Sequence, residues 1–140
     1  MKLAWPVRGG PKRFPIQSDS EAHIGWGALP AIDIPAPEKT GLCAPWDSTV
    51  TLNTLLSDCG NTIDFEFTYS PTPHVSYYIK VRYCHLWRPS PIPQGSTVKR
   101  RQYVGRVGHT GQTFGEPPDH IHLAMWVDGV RVKPEDWYRV

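Results

Sequence analysis

Two neighbouring runs restrict what this chain can fold into. In "TIDFEFTY", residues 62–69, Ile63, Phe65 and Phe67 alternate with Asp64 and Glu66. In "VSYYIKVRYCHLW", residues 75–87, Tyr77, Ile79, Val81, Tyr83 and His85 alternate with Tyr78, Lys80, Arg82 and Cys84. Side chains repeat every two residues on a strand and every 3.6 on a helix, so both runs read as strands with one face buried. Only a few residues separate them, which favours antiparallel neighbours. By the same alternation, His85 should share the face of Tyr83 and Val81.

The rest of the chain agrees. The 15 prolines and 12 glycines imply many turns rather than long elements. "AIDIPAP" (31–37) reads as a short strand closed by prolines, and "STVTLNTLL" (48–56) opens β-rich before the turn cluster "SDCGN". The prolines of "RPSPIPQG" (88–95) cannot sit in a ladder, so that segment is a loop. "STVKRRQYVGRVG" gives short strands with Gly105 and Gly108 as bends. "HIHLAMWVDGVRV" is a hairpin turning at Asp128-Gly129. Residues 1–31 read as irregular, "KPEDWYRV" closes the chain, and no segment carries a long amphipathic helix. The expectation is an all-β protein: a compact antiparallel, open-barrel-like core with long loops forming a groove, one domain over residues 1–140.

A net charge of +2 is too small to suggest nucleic acid. No 18-residue apolar run suggests membrane insertion. "MKLAWPVRGG" lacks the apolar stretch of a signal peptide, so the chain reads as synthesised in the cytoplasm without one. Cys43, Cys59 and Cys84 form neither a disulfide framework nor a C-x-x-C zinc motif. A Cys43–Cys59 pair is open, and free half-buried thiols are the favoured reading.

Six histidines remain: His23, His74, His85, His109, His120 and His122. His74 reads as a solvated loop residue and His109, in "VGHTG", as a turn residue making local hydrogen bonds. His120 and His122 lie two apart on a strand and therefore share a face. Asp33, between Ile32 and Ile34, points away from their apolar face and needs a partner: a metal, or a turn or arginine, at even odds on local sequence. A catalytic zinc takes about three N/O ligands and an open position. A cupin-like metal barrel also uses His-x-His, but Trp126 stands where its glutamate is expected and no histidine follows His122.

At this point an ordered set of motifs resembles the lysostaphin/LytM-type zinc endopeptidases. The set is "WPVRGG" (5–10), "AIDIPAPEKTGLCAPWDSTV" (31–50), "YCHL" (83–86), "GSTVKRRQYVGRVGHTGQTFG" (95–115), "HIHL" (120–123) and "VDGVRVKPEDWY" (127–138). The resemblance implies one zinc ion per chain held by His23, Asp33 and His122, with His85 and His120 as non-ligand catalytic histidines. It implies hydrolysis of peptide bonds in bacterial peptidoglycan at the cell wall. With no export signal read in the sequence, release by a phage or carriage on a virion is the route that would fit. Departures are the ten-residue step from His23 to Asp33, against four in the tightest family pattern, and Arg101 and Ser48 where glycines are usual. A non-catalytic wall-binding or virion-structural module of the same fold is the alternative. Trp26, Tyr83, Trp87 and Trp126 are candidates for lining the groove, with packing the commoner role for most of them. Loops 88–95 and 109–119 are candidate groove walls.

Overall fold

The structure, a computed structural model, describes residues 2–113 and 118–138. Its main sheet contains β1 (Ile32–Pro35), β3 (Ser48–Leu56), β4 (Gly60–Thr72), β5 (Val75–Leu86), β6 (Thr97–Val98), β8 (His120–Val127) and β9 (Val130–Val132). The spatial order is β1-β8-β5-β4-β3-β6, with β9 also on β8, and every pairing is antiparallel. β1 and β9 share one edge of β8: Asp33 lies opposite His122, and Arg131 opposite Trp126. The sheet does not close into a barrel. A second small sheet pairs β2 (Gly41–Cys43) with β7 (Tyr103–Arg106).

One face of the main sheet is the core. Ile32, Ile34, Ile63, Phe65, Ile79, Val81, Tyr83, Ile121, Leu123 and Met125 are fully buried there and cluster with Leu42, Val104, Val107 and Tyr138. The period-two patterns of residues 62–69 and 75–83 therefore face as read. Each such apolar side chain removed from water contributes roughly 1.5–3 kcal/mol. Tyr83, a groove candidate by sequence, belongs to this core; its hydroxyl donates to the Cys43 carbonyl at 2.8 Å. The turn at Asp128-Gly129 has positive φ at both positions (50° and 80°), the geometry of a two-residue hairpin loop.

The other face of the sheet carries His120, His122, Ala124 and Trp126 from β8, and Cys84, Arg82 and Lys80 from β5. Asp64 accepts a two-pronged bond from Arg82 at 2.7 and 2.9 Å. The irregular reading of residues 1–31 misses one element: α1 (Ser20–Gly25), a single turn. Its N-cap, Asp19, accepts from the Ala22 amide at 2.9 Å. A second short helix, α2 (Pro134–Tyr138), closes the described chain. Its Glu135 accepts from the Ser20 amide at 2.8 Å and the Ser20 hydroxyl at 2.5 Å, fixing α1 against the sheet. Among the described residues no helix is long and apolar enough to cross a membrane.

The cysteines differ from expectation. Cys59 and Cys84 are joined, with Cα atoms 4.7 Å apart, and Cys43 is free and buried. Cys59 lies in the β3–β4 turn, and the β4–β5 pairing brings that turn beside the end of β5. Spacing along the chain carries no trace of that proximity.

Candidate active site

The site forms where β1, β8, β5 and α1 meet. Asp33 and His122 face each other across the β1–β8 ladder. Residues 17 and 18 bond to both sides of the Asp33 backbone: the Gln17 amide donates to Asp33 O at 2.9 Å, and the Asp33 amide to Ser18 O at 2.8 Å. The chain then turns through the Asp19 cap into α1, which swings His23 back over Asp33. His23 Nε2 lies 3.2 Å from Asp33 Oδ2, and His122 Nδ1 lies 2.9 Å from Asp33 Oδ1. His120 Nε2 is 3.9 Å from the same Oδ1. The ten-residue step from His23 to Asp33 is thus accommodated by the end of α1 and a return loop.

His85 reaches the site by an irregularity. Alternation would bury it beside Tyr83, and that expectation is wrong. The β4–β5 register shifts between Asn61 and Ile63, and His85 has φ 69°, a left-handed conformation uncommon for a residue with a Cβ. This β-bulge turns the imidazole to the opposite face, where its ring centre lies 5.0 Å from that of His120 and 6.0 Å from that of His122. The bulge is braced from behind. The His85 amide donates to Cys59 O at 2.6 Å, and Cys59 is itself bonded to Cys84.

Three imidazoles are oriented by the backbone. The Nδ1–H groups of His23, His85 and His120 donate to the carbonyls of Asp19 (2.8 Å), Thr110 (2.7 Å) and Pro118 (2.8 Å). A carbonyl can only accept, so each ring keeps Nε2 for the site, the arrangement typical of imidazoles held around a metal centre. Thr110 is a residue that sequence reading passes over. Its hydroxyl donates to Leu86 O at 2.6 Å and accepts from the Asn61 amide at 3.0 Å. Gly60 and Gly111 make this docking possible: a Cβ on Gly111 would lie 2.3 Å from Gly60 N, and one on Gly60 would lie 2.3 Å from the Thr110 carbonyl carbon. The "HTG" triplet was the available signal, but only the fold shows what the threonine holds.

The electrostatics follow from burial and proximity. Burial pushes the His85 pKa down to about 4, against the partial support of its bond to Thr110, and His120 is lowered for the same main reason. His23 is raised: burial opposes protonation, but its bonds to Asp33 and Asp19 outweigh it. Asp33 is largely buried, which alone would raise its pKa; hydrogen bonds from His122 and His23 instead hold it far below the usual carboxylate range.

Could this donor set hold a metal? Donors on a tetrahedral zinc at about 2.0–2.2 Å lie roughly 3.3–3.6 Å apart. The ligand atoms of His23, Asp33 and His122 all lie within 4.8 Å of one another, and their separations from the Asp33 oxygens are close to that spacing. With Nδ1 of His23 committed to a carbonyl, a neutral ring would set its lone pair against a carboxylate, so a cation belongs between them. The residues fit zinc, and the partial exposure of His122 and Asp33 (26% and 18% of their side chains) leaves room for a further ligand.

Other sequence expectations resolve as follows. His74 is exposed. His109 bonds outside its turn, with Nδ1 2.7 Å from Asp119 Oδ1 and 3.5 Å from Glu38 Oε2. These three form a second convergence of potential ligands, largely exposed. Trp26 is 67% exposed and lies 5.1 Å from the His23 ring, centre to centre, forming one wall. Trp126 lies on the groove face, whereas Trp87 lies under Lys39, Arg88 and Arg106. Of the 109–119 loop, residues 114–117 lie outside the described residues. A cavity of about 740 Å³ between the N-terminal segment and Tyr138 shares no residue with the histidine cluster.

An antiparallel sheet presenting a His/Asp donor set beside two anchored imidazoles defines a metallopeptidase-like class of site. The profile of peptidase family M23 matches residues 28–134, and the chain belongs to that family. Asp33, His85, His120 and His122 fall inside the match, while His23 lies before it. Peptidoglycan DD-endopeptidase ShyC of Vibrio cholerae serotype O1 is 30% identical over 125 residues, 89% of this chain and 25% of that protein. The chain thus spans a quarter of that relative's length. Among solved structures, the catalytic domain of the prophage-encoded M23 protein EnpA from Enterococcus faecalis superposes with TM-score 0.67 at 25% identity, covering 93% of this chain and 94% of that one. A zinc-containing peptidase from Vibrio cholerae superposes with TM-score 0.70 at 24% identity, covering 92% of this chain and 37% of that one; that likeness speaks for the fold.

Proposed function

We propose that this chain is a zinc-dependent endopeptidase that hydrolyses peptide bonds in bacterial peptidoglycan. The observation that carries the reading is the convergence of His23, Asp33 and His122 on one point beside His85 and His120. The relative named as a peptidoglycan endopeptidase supports the substrate. In this reading His23 Nε2, an Asp33 oxygen and His122 Nδ1 hold the zinc ion. When bound, zinc supplies Lewis acidity, bringing the pKa of water from 15.7 towards about 7 and polarising the scissile carbonyl.

The protein's own contribution is proton handling. His85 and His120 are kept neutral near pH 7 by burial, so each offers an Nε2 lone pair. One takes the proton of the attacking water at Nε2; that same ring, now protonated, hydrogen-bonds the developing oxyanion and then passes the proton to the leaving amine. Such general acid–base help contributes roughly 10²–10⁴-fold. The carbonyls of Thr110 and Pro118 hold the two rings so that little reorganisation is needed during reaction. A site of action at the cell wall suits the Cys59–Cys84 bond, since disulfides persist outside reducing compartments.

The test is digestion of purified peptidoglycan followed by mass spectrometry of the released muropeptides, with and without a zinc chelator. New amino termini that disappear with the chelator and return on adding zinc are expected. Cleavage that survives complete zinc removal, or no cleavage by the zinc-loaded chain, would overturn the reading.

A further inference from the structure

Arg131 stands out because its charge has no counterion among the described residues. It projects from β9 onto the groove face, opposite Trp126 in the β8–β9 ladder. Its guanidinium carbon lies 4.8 Å from the Trp126 ring centre, and its Nε donates to Pro30 O at 2.8 Å. Arg82 and Lys80 approach the same ring at 5.3 and 4.2 Å. Arg82 is neutralised by Asp64 through two bonds, and Lys80 lies opposite Glu66 in the ladder. Arg131 has neither arrangement, although it is half-buried.

Its surroundings make that costly. Burial and the neighbouring Arg82 charge both work against a charged Arg131. Its bond to Pro30 O ties it to the segment that joins His23 to Asp33, and its ladder partner Trp126 lies on the same face of β8 as His122. A half-buried guanidinium without a partner is unfavourable unless something completes it. Pro30 O holds Nε and the Trp126 ring lies against the guanidinium, which leaves the two Nη groups as a fork for a carboxylate.

We propose that Arg131 is a specificity-determining residue that binds a free carboxylate on the peptide substrate, in the groove beside the scissile bond. The inference rests on the proposed peptidase reading and narrows it. Peptides carrying an ionised carboxylate next to the cleaved bond are favoured over uncharged ones of the same length. The segment between His23 and Asp33 serves this subsite twice: Pro30 orients the guanidinium, and the exposed Trp26 and Leu29 (67% and 62%) offer an apolar wall for the adjoining aliphatic part.

The experiment uses two crosslinked peptides identical except for a carboxylate or a carboxamide on the residue next to the scissile bond. Cleavage and calorimetric binding are measured with the zinc-loaded wild type, R131Q, R131K and R131E. The wild type should favour the carboxylate peptide by roughly 10- to 100-fold in kcat/KM, carried by KM, as expected for a charge-assisted pair. R131Q should bring the ratio near one, R131K should keep part of it, and R131E should invert it. Equal binding of both peptides by the wild type, or a full preference retained in R131Q, would overturn the inference. If the wild type binds with the carboxylate preference but cleaves neither peptide, the peptidase reading fails while the subsite stands. Melting temperature and zinc content report whether each variant folds; if R131Q does not, the wild-type preference and its change in R131K decide.

Discussion

Among the described residues, two clusters have ligand atoms that all lie within 4.8 Å of one another: His23, Asp33 and His122, and Glu38, His109 and Asp119. They differ in what stands behind them. In the first, Asp33 and His122 are locked by a ladder, His23 by a capped helix turn and a bond to Asp19 O, and two buried imidazoles flank the set. In the second, two carboxylates share one ring nitrogen of His109, and the side chains are more open to water, with 53% of His109, 40% of Glu38 and 27% of Asp119 exposed. Convergence is therefore a weak signature by itself; a site is distinguished by the groups that hold the donors in place before anything binds.

The largest contrast is expected on deleting ligands. Asp33→Ala and His122→Ala should each lose the bound zinc and reduce muropeptide release by more than about 10³-fold, because both the Lewis acid and its anchoring are lost. His109→Ala should keep one zinc per chain and near-normal release. Metal analysis after gel filtration decides it: zinc loss in His109→Ala would place the metal in the exposed cluster. Within the buried group, His120→Ala should keep zinc but slow turnover by roughly 10²–10⁴-fold. If it loses zinc as completely as His122→Ala, the division of roles within His-x-His is wrong.

How much of this was legible in the sequence depends on the range of the interaction. Alternation in residues 62–69 and 75–83 is local, and it located the core face correctly. The opposed faces of Ile32/Ile34 and Asp33, and of Ile121/Leu123 and His120/His122, follow from the same period. His85 defeated the pattern because a bulge stores one extra residue, and nothing in "YCHL" marks where alternation stops. The Cys59–Cys84 bond, the Thr110 bracket and the placement of Arg131 against Trp126 depend on contacts across strands, invisible to spacing. His23 was reached through family resemblance, yet the family match begins after it. Its place beside Asp33 comes from α1, a one-turn helix too short to announce itself by periodicity.

A middle-sized effect separates the clusters by their covalent support. Cys84→Ser, or reduction of the wild type, should lower stability in urea unfolding by roughly 2–4 kcal/mol, the usual scale for closing a loop of this length, with the two cysteines 25 residues apart. Because Cys59 O also receives the His85 amide, turnover should fall while zinc content stays the same. A Cys84→Ser chain with full activity would show that the bulge holds without its brace.

The pH response of the zinc-free chain is a further contrast. The folded-state pKa of His85 lies at about 4 and that of His120 is also lowered, against an unfolded value of about 6.5. Between those limits the unfolded chain binds more protons, so stability rises with pH and is lost as pH falls from about 6.5 towards 4. His23 has the opposite sign: its raised pKa adds stability below about 6.5 that fades as pH rises through the folded value. Asp33, lowered, loses its contribution only as pH falls below its unfolded value of about 3.9. His85→Gln should therefore flatten the melting-temperature profile between pH 6.5 and 4. An unchanged slope would mean that His85 is not the group excluded from protonation.

The smallest expected effect belongs to the exposed cluster. The pair between His109 and Asp119 at 2.7 Å links the loop after β7 to the start of β8, one residue before His120, so its geometry alone suggests importance. Exposure argues otherwise: water and salt screen such pairs, which typically contribute about 0–1 kcal/mol. The stretch is also held independently, by the His120 amide on Gly108 O at 3.3 Å and by His120 Nδ1 on Pro118 O at 2.8 Å. His109→Ala should thus shift the urea midpoint only slightly, and raised salt should shrink the shift further. A larger loss, accompanied by slower turnover, would show that the exposed cluster helps hold His120 and that the two regions are coupled through the first residue of β8.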